Sequence, residues 1–212
     1  MKPRFITFEG GDGCGKSTQI RLAADWLKSL GGDVLTTFEP GDHSLGADIR
    51  SILLSGTHTP VPEAELLLFL ADRAQHMREL ILPALNKGQW VLCDRFTDST
   101  LAYQMAGRQL DAENMQGLVD FAEMGMRPAL TLWVDLPVRE ALARTRSRAA
   151  GGEETTRMDE EALSFHERVR DGFESLCRQS PERIFRVDAH GEVDAVQQRV
   201  RTVISDCFEL NL

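Results

Sequence analysis

An α/β fold, a five-stranded parallel sheet with helices on both faces, is predicted by three features of the 212-residue chain. Five short apolar runs recur along it, helical periodicity fills the segments between them, and a glycine-rich loop separates the first run from the first helix. Strands that alternate with helices in this way pack as a doubly wound parallel sheet. The length suffices for one sizeable core, and no break in composition divides the chain, so residues 1–212 are expected to form one domain.

The first strand is expected at Phe5–Phe8. Directly after it, Glu9-Gly10-Gly11-Asp12-Gly13-Cys14-Gly15-Lys16-Ser17-Thr18 fits G-x-x-x-x-G-K-S/T. Ile20, Ala23, Ala24 and Leu27 then recur at helix spacing. Strand, glycine loop and helix together form the context of a phosphate site. Glycines let backbone N–H groups turn inward around phosphate oxygens, and the new helix adds its positive end. Gly10 to Thr18 are therefore candidate ATP-binding residues, with Lys16 reaching the β- and γ-phosphates and Ser17 ligating Mg²⁺. A chance Lys-Ser in a glycine turn is the alternative, and the flanking strand and helix weigh against it.

Further strands are expected at Val34–Phe38, Trp90–Cys93, Leu130–Val134 and Ile184–Val187. Pro62, followed by Glu63 and Glu65, opens a long helix running to about Leu82. Pro137 opens another, carrying Arg139 to Arg148, and the small, polar stretch Ala149 to Thr156 reads as a mobile loop.

Ligands of such sheets gather at the carboxyl ends of the strands. After the second strand stand Glu39-Pro40-Gly41 and, downstream, Arg50, a fork matched to phosphate. Taken alone, this group also fits an ordinary loop with a surface arginine. On the long helix, Phe69 and Arg73 are four apart and share a face, as a stacking and hydrogen-bonding pair for a base would; a core phenylalanine is the alternative. The third strand ends at Asp94, where a second contact to Mg²⁺, through water, is expected, and Arg95 would point into the same crevice; a buried aspartate and a surface arginine are the alternative. If the following segment is helical, Thr100, Tyr103 and Gln104 share a face. Arg144, Arg146, Arg148 and Arg157 flank the expected mobile loop, where an arginine could close over transferring phosphates; a solvated helix face is the alternative.

The net charge of −9 argues against a nucleic-acid partner. No apolar stretch approaches a membrane span, and Met1 to Arg4 leave no room for a signal peptide. Cys14, Cys93, Cys177 and Cys207 lack metal spacing and read as reduced thiols of a cytoplasmic protein. The histidines, His43, His58, His76, His166 and His190, likewise lack metal spacing and are expected at the surface or in local hydrogen bonds.

Together these runs resemble the bacterial thymidylate kinases (dTMP kinases), a P-loop nucleoside monophosphate kinase family. The family's F-E-G-x-D-G-x-G-K-S-T loop stands at Phe8 to Thr18, its E-P-G turn at Glu39 to Gly41, and its F-x-x-x-R pair at Phe69 and Arg73. Its D-R-Y/F-x-x-S-x-x-A-Y-Q run stands at Asp94 to Gln104, and Arg127 to Pro137 match its R-P-D-L-T-x-x-x-D-x-P. The resemblance implies a P-loop NTPase fold with a short lid at about residues 144–158, and ATP-dependent phosphorylation of dTMP to dTDP in dTTP biosynthesis. It implies that Phe69 stacks on thymine, Arg73 bonds its O4, Gln104 and Thr100 lie near the base, and Tyr103 lies beneath the deoxyribose. It further implies that Arg50 and Arg95 hold the acceptor phosphate, that Asp12 and Glu39 belong to the dTMP site, and that the protein is a homodimer. Lys16, Arg95 and the lid arginines Arg148 and Arg157 are then the catalytic candidates.

Departures from the family pattern are local. The usual R-E-P-G-G-T reads Phe38-Glu39-Pro40-Gly41-Asp42-His43, the lid's R-x-E reads Arg157-Met158-Asp159, and the aspartate after R-P is Ala129. Position 13 is glycine where one branch has an arginine, which points to a catalytic arginine from the lid. Two rival functions remain at this point: a kinase for another nucleoside or monophosphate, and a regulator that binds ATP without transferring phosphate. Lys16, Ser17, Asp94 and Arg95 together speak against the second, since a binding module needs no acceptor clamp.

Overall fold

The computed structural model describes residues 2–152 and 155–210. Its five strands are β1 (Phe5–Glu9), β2 (Val34–Phe38), β3 (Trp90–Asp94), β4 (Leu130–Asp135) and β5 (Ile184–Asp188). They form one parallel sheet in the order β2-β3-β1-β4-β5. The central strands are buried on both faces, which is why they read as near-continuous apolar runs.

Alternation along β1 sends its side chains to two different cores. Ile6 and Phe8 pack on one face against Ile20, Ala23 and Leu27 of α1 (Lys16–Ser29) and Val196, Val200 and Ile204 of α9 (Val193–Phe208). Phe5 packs on the other, with Val91, Met77, Ile81 and Phe96. That second face carries α3 (Pro62–His76) and α8 (Leu163–Gln179); α8 packs Phe165 and Phe173 against Tyr103 and Trp133. Each such buried aromatic stabilises the fold by roughly 1.5–3 kcal/mol relative to exposure. Outside α3 lies α6 (Ala112–Glu123), joined to it through Leu66, Leu70, Met115 and Val119.

Three local differences from the sequence reading have physical causes. The long helix from Pro62 does not run evenly to Leu82. It widens into a π-helical turn at Met77–Ile81 and continues as α4 (Leu82–Asn86). Pro83 has no amide proton for the carbonyl four residues back, and the register loosens just before it. After the short α5 (Thr97–Thr100), a second π-helical stretch covers Leu101–Gly107. Finally, Ala149 and Ala150 are not loop but the end of α7 (Val138–Ala150); Gly151 and Gly152 form the turn after it. Glu153 and Glu154 of the expected mobile loop and lid lie outside the described residues. The remaining helix, α2 (Gly46–Leu54), packs beside α3.

Candidate active site

The crevice lies at the carboxyl ends of β1 and β3, beside the point where the strand order reverses. The glycine loop leaves β1 so close to β4 that a Cβ on Gly10 would strike the Val134 carbonyl, and Gly10 has φ +135°. Within the loop, Lys16 Nζ donates to the Gly10 and Gly11 carbonyls at 3.1 and 2.9 Å. The Ser17 hydroxyl donates to Asp94 Oδ2 at 2.9 Å, across from the end of β3. Asp94 Oδ1 is buried without a hydrogen-bond partner among the described residues. A hydroxyl beside a carboxylate with an uncommitted oxygen is a hard-oxygen donor set that fits Mg²⁺, which keeps waters and phosphate oxygens as its other ligands. No cluster of three or more His, Cys, Asp or Glu suited to a metal exists among the described residues.

Arg95 follows Asp94 in a left-handed conformation, φ 70°. Non-glycine residues hold this geometry at a cost of about 1–3 kcal/mol, so it persists only where surroundings enforce it. Here the guanidinium donates to the Gly10 carbonyl at 3.0 Å, Ser99 Oγ at 3.1 Å and Asp12 Oδ1 at 2.7 Å, and lies 5.0 Å from the Tyr103 ring centre. Burial would push the Asp12 carboxyl up, but Arg95 and Lys16 outweigh it and hold it at about 2. The acid end of the loop is therefore charged and locked to the arginine.

Two cavities meet at this pair. The larger, about 1020 Å³, is lined by the loop from Asp12 to Thr18, by Asp94 and Arg95, and by Arg144 and Arg148 of α7. The smaller, about 110 Å³, is lined by Phe69, Arg73, Thr100, Tyr103, Gln104, Pro40 and Met158. Asp12, Glu39, Arg50 and Arg95 line both. Phe69, Arg73, Thr100, Tyr103 and Gln104 are thus brought together, while Arg157 is not among the residues at the phosphate loop. Its guanidinium is tied to Glu65 and the Leu53 carbonyl, and its amide to the Leu54 carbonyl.

Glu39 does not sit in an ordinary loop. It is buried, with its Oε2 accepting from Arg73 Nε and Nη2 at 2.9 and 2.8 Å and its Oε1 meeting His76 Nδ1 at 2.9 Å. Arg73 spends its Nη1 on Thr100 Oγ1 at 3.0 Å and is only 2% exposed, so its position is fixed before any ligand arrives. Burial would raise the Glu39 carboxyl, but Arg73 and His76 more than reverse this and keep it ionised. Arg50 donates to the Pro40 carbonyl at 2.7 Å and lies over the Phe38 ring.

Sequence reasoning missed three residues here. His76, expected at the surface or in a local bond, is fully buried and joins Glu39 to Thr37. His43 is likewise buried, on Asp72 at 2.8 Å, and the departing Asp42 accepts from Thr37 rather than facing the smaller cavity. Glu65, taken only as a helix-start carboxylate, binds Gln104, Arg108 and Arg157 at once. The spacing Glu65, Phe69, Arg73, His76 places all four on one face of α3, a signal available in the sequence.

A charged phosphate cleft joined to a small aromatic pocket with fixed donors can align two phosphorylated ligands. The chain is also similar to known proteins over nearly its whole length. The thymidylate kinase family model matches residues 8–200. A thymidylate kinase of Desulfovibrio desulfuricans is 50% identical over 204 residues, covering 94% of each chain. One from Acaryochloris marina is 46% identical over 222 residues, covering 96% of each. The crystal structure of thymidylate kinase from Ehrlichia chaffeensis superposes with a TM-score of 0.78 at 32% identity, covering 97% of this chain and 100% of that one. The chain belongs to the thymidylate kinase family.

Proposed function

We propose that the chain transfers the γ-phosphoryl group of ATP to the phosphate of dTMP, giving dTDP for dTTP synthesis, with ATP in the larger cleft and dTMP in the smaller cavity. The observation that carries this reading is the junction of the two cavities at Asp12 and Arg95. Phosphoryl transfer asks the protein for alignment and charge neutralisation rather than covalent catalysis. Lys16 and the loop amides hold the donor phosphates, and Arg95 with Arg50 holds the acceptor phosphate at the junction. Ser17 and Asp94 hold Mg²⁺, which when bound offsets the negative charge of the triphosphate. Phe69 stacks on the base, Arg73 donates to its O4, and Tyr103 forms the wall beneath the sugar. The free thiols support a cytoplasmic location, which cell fractionation tests. No helix among the described residues is long and apolar enough to cross a membrane.

A panel of monophosphates tests the acceptor. The methyl group separating thymine from uracil is worth roughly 1–3 kcal/mol in an apolar pocket, so dUMP is expected to react less well but measurably. Cytosine presents an amino donor to the donor Arg73, leaving both unpaired at about 1–3 kcal/mol per group. The expected order of kcat/KM is dTMP, dUMP, then dCMP far behind, with Arg73→Ala narrowing the last gap. Ribothymidine monophosphate is expected to be rejected by wild type and admitted by Tyr103→Ala. Equal use of dCMP and dTMP by the wild type would replace this reading with a general pyrimidine kinase.

We also infer a homodimer. Exposed Val61, Leu67, Leu118 and Phe121 lie at or on the paired helices α3 and α6, exposed apolar side chains of the kind a second copy covers. Light scattering is expected to give twice the chain mass, and Phe121→Asp to weaken the association. A monomer at every concentration overturns it.

A further inference from the structure

Glu65 never reaches the smaller cavity, yet it decides what Gln104 offers there. Its carboxylate is held rigidly: Arg108 donates Nε to Oε1 and Nη2 to Oε2, both at 3.1 Å, and Arg157 Nη2 adds a close contact to Oε2. Gln104 Nε2 then donates to Oε1 at 2.9 Å. An ionised carboxylate only accepts hydrogen bonds, so the nitrogen end of the Gln104 amide must face it. Burial alone would raise the Glu65 carboxyl, but the hydrogen bonds from Arg108, Arg157 and Gln104 reverse the direction and keep it ionised. Gln104 lines the cavity; Glu65 takes one of its two amide N–H donors, and with that end of the amide turned to Glu65 the opposite end is Oε1, an acceptor.

We infer that Glu65 is a positioning residue for base specificity, fixing the Gln104 amide so that its oxygen selects a pyrimidine whose N3 carries a proton. Thymine and uracil have that N3–H; cytosine has a lone pair at N3 and meets the amide oxygen as acceptor against acceptor. The inference rests on the dTMP-site assignment above. Gln104 beside the base is what the family resemblance implies; what is added is control of that amide by a side chain that touches no ligand.

Glu65→Gln tests it, because the change is isosteric and reverses one end of the group. The Oε2 position faces Arg157 and Arg108 Nη2, two cationic donors, so the oxygen of the substituted amide belongs there. The nitrogen of that amide then takes the Oε1 position, which faces one cationic donor, Arg108 Nε, rather than two, together with Gln104; Gln104 has to turn its own oxygen to it and present Nε2 to the base. In a panel with dTMP and dCMP, the ratio of kcat/KM values is expected to fall about tenfold or more, with KM rising for dTMP and falling for dCMP. A purely structural role would lower both substrates alike and leave the ratio unchanged. Glu65→Asp keeps an acceptor-only group and is expected to hold the ratio within about threefold of wild type, whatever it does to KM. Thermal melting confirms that each variant folds. An unchanged ratio in folded Glu65→Gln, or a collapsed ratio in Glu65→Asp, overturns the inference while leaving wild-type dTMP turnover intact. Loss of wild-type preference for dTMP would instead sink the site assignment itself.

Discussion

Lys16→Ala is expected to lower turnover by about 10²–10³-fold or more, the scale seen when a preorganised charge-stabilising donor is removed. The ammonium stands within the loop on two carbonyls, Gly10 and Gly11, where it can swing onto a phosphate without any backbone change. The fold should survive, because α1 is held to the sheet by Ile20, Ala23 and Leu27 rather than by Lys16. A melting temperature within a few degrees of wild type, together with steady-state rates, separates the two effects. Chelation of divalent cations with EDTA should abolish turnover in the wild type as well, since Ser17 and Asp94 present oxygens and no positive charge of their own. Near-normal rates from a folded Lys16→Ala protein would remove the phosphate-loop assignment.

How far the site could be read from sequence depends on whether the interactions are local. The central strands were legible because burial on both faces leaves little room for polar residues, and the glycine loop because its G-x-x-x-x-G-K-S/T spacing falls between a strand and a helix. Phe69 and Arg73 declared themselves through helix spacing and the family pattern. Glu65, on the same face, did not, since a carboxylate in a first helical turn already has an explanation in the helix dipole. Its partners Arg108 and Arg157 lie 43 and 92 residues away, beyond any local pattern. His76 was misread for the same reason: its partners Glu39 and Thr37 come from another strand end. The π-helical stretch carrying Tyr103 and Gln104 left no mark in composition, because it shifts hydrogen bonds without demanding special residues.

Arg148→Ala is expected to reduce kcat on the order of 10³-fold while changing KM for dTMP by less than about threefold, the signature of an arginine that acts on transition-state charge. The reason begins at Gly13. A Cβ there would collide with the Ala141 carbonyl and come within 2.8 Å of Thr145 Oγ1, so α7 stands directly against the loop and no arginine can rise from position 13. The same helix supplies the charge instead. Arg144 and Arg148 follow Ala141 by three and seven residues, on the face that meets the loop, and both line the phosphate cleft. Arg157 is instead bound to Glu65, away from the loop. Arg157→Ala should therefore act mainly on dTMP affinity, the opposite split. Single-turnover kinetics with saturating ATP and dTMP distinguish the two variants. If Arg148→Ala weakened dTMP binding and left the maximal rate near wild type, the transition-state role would pass to Arg144, the remaining arginine of α7 in the cleft.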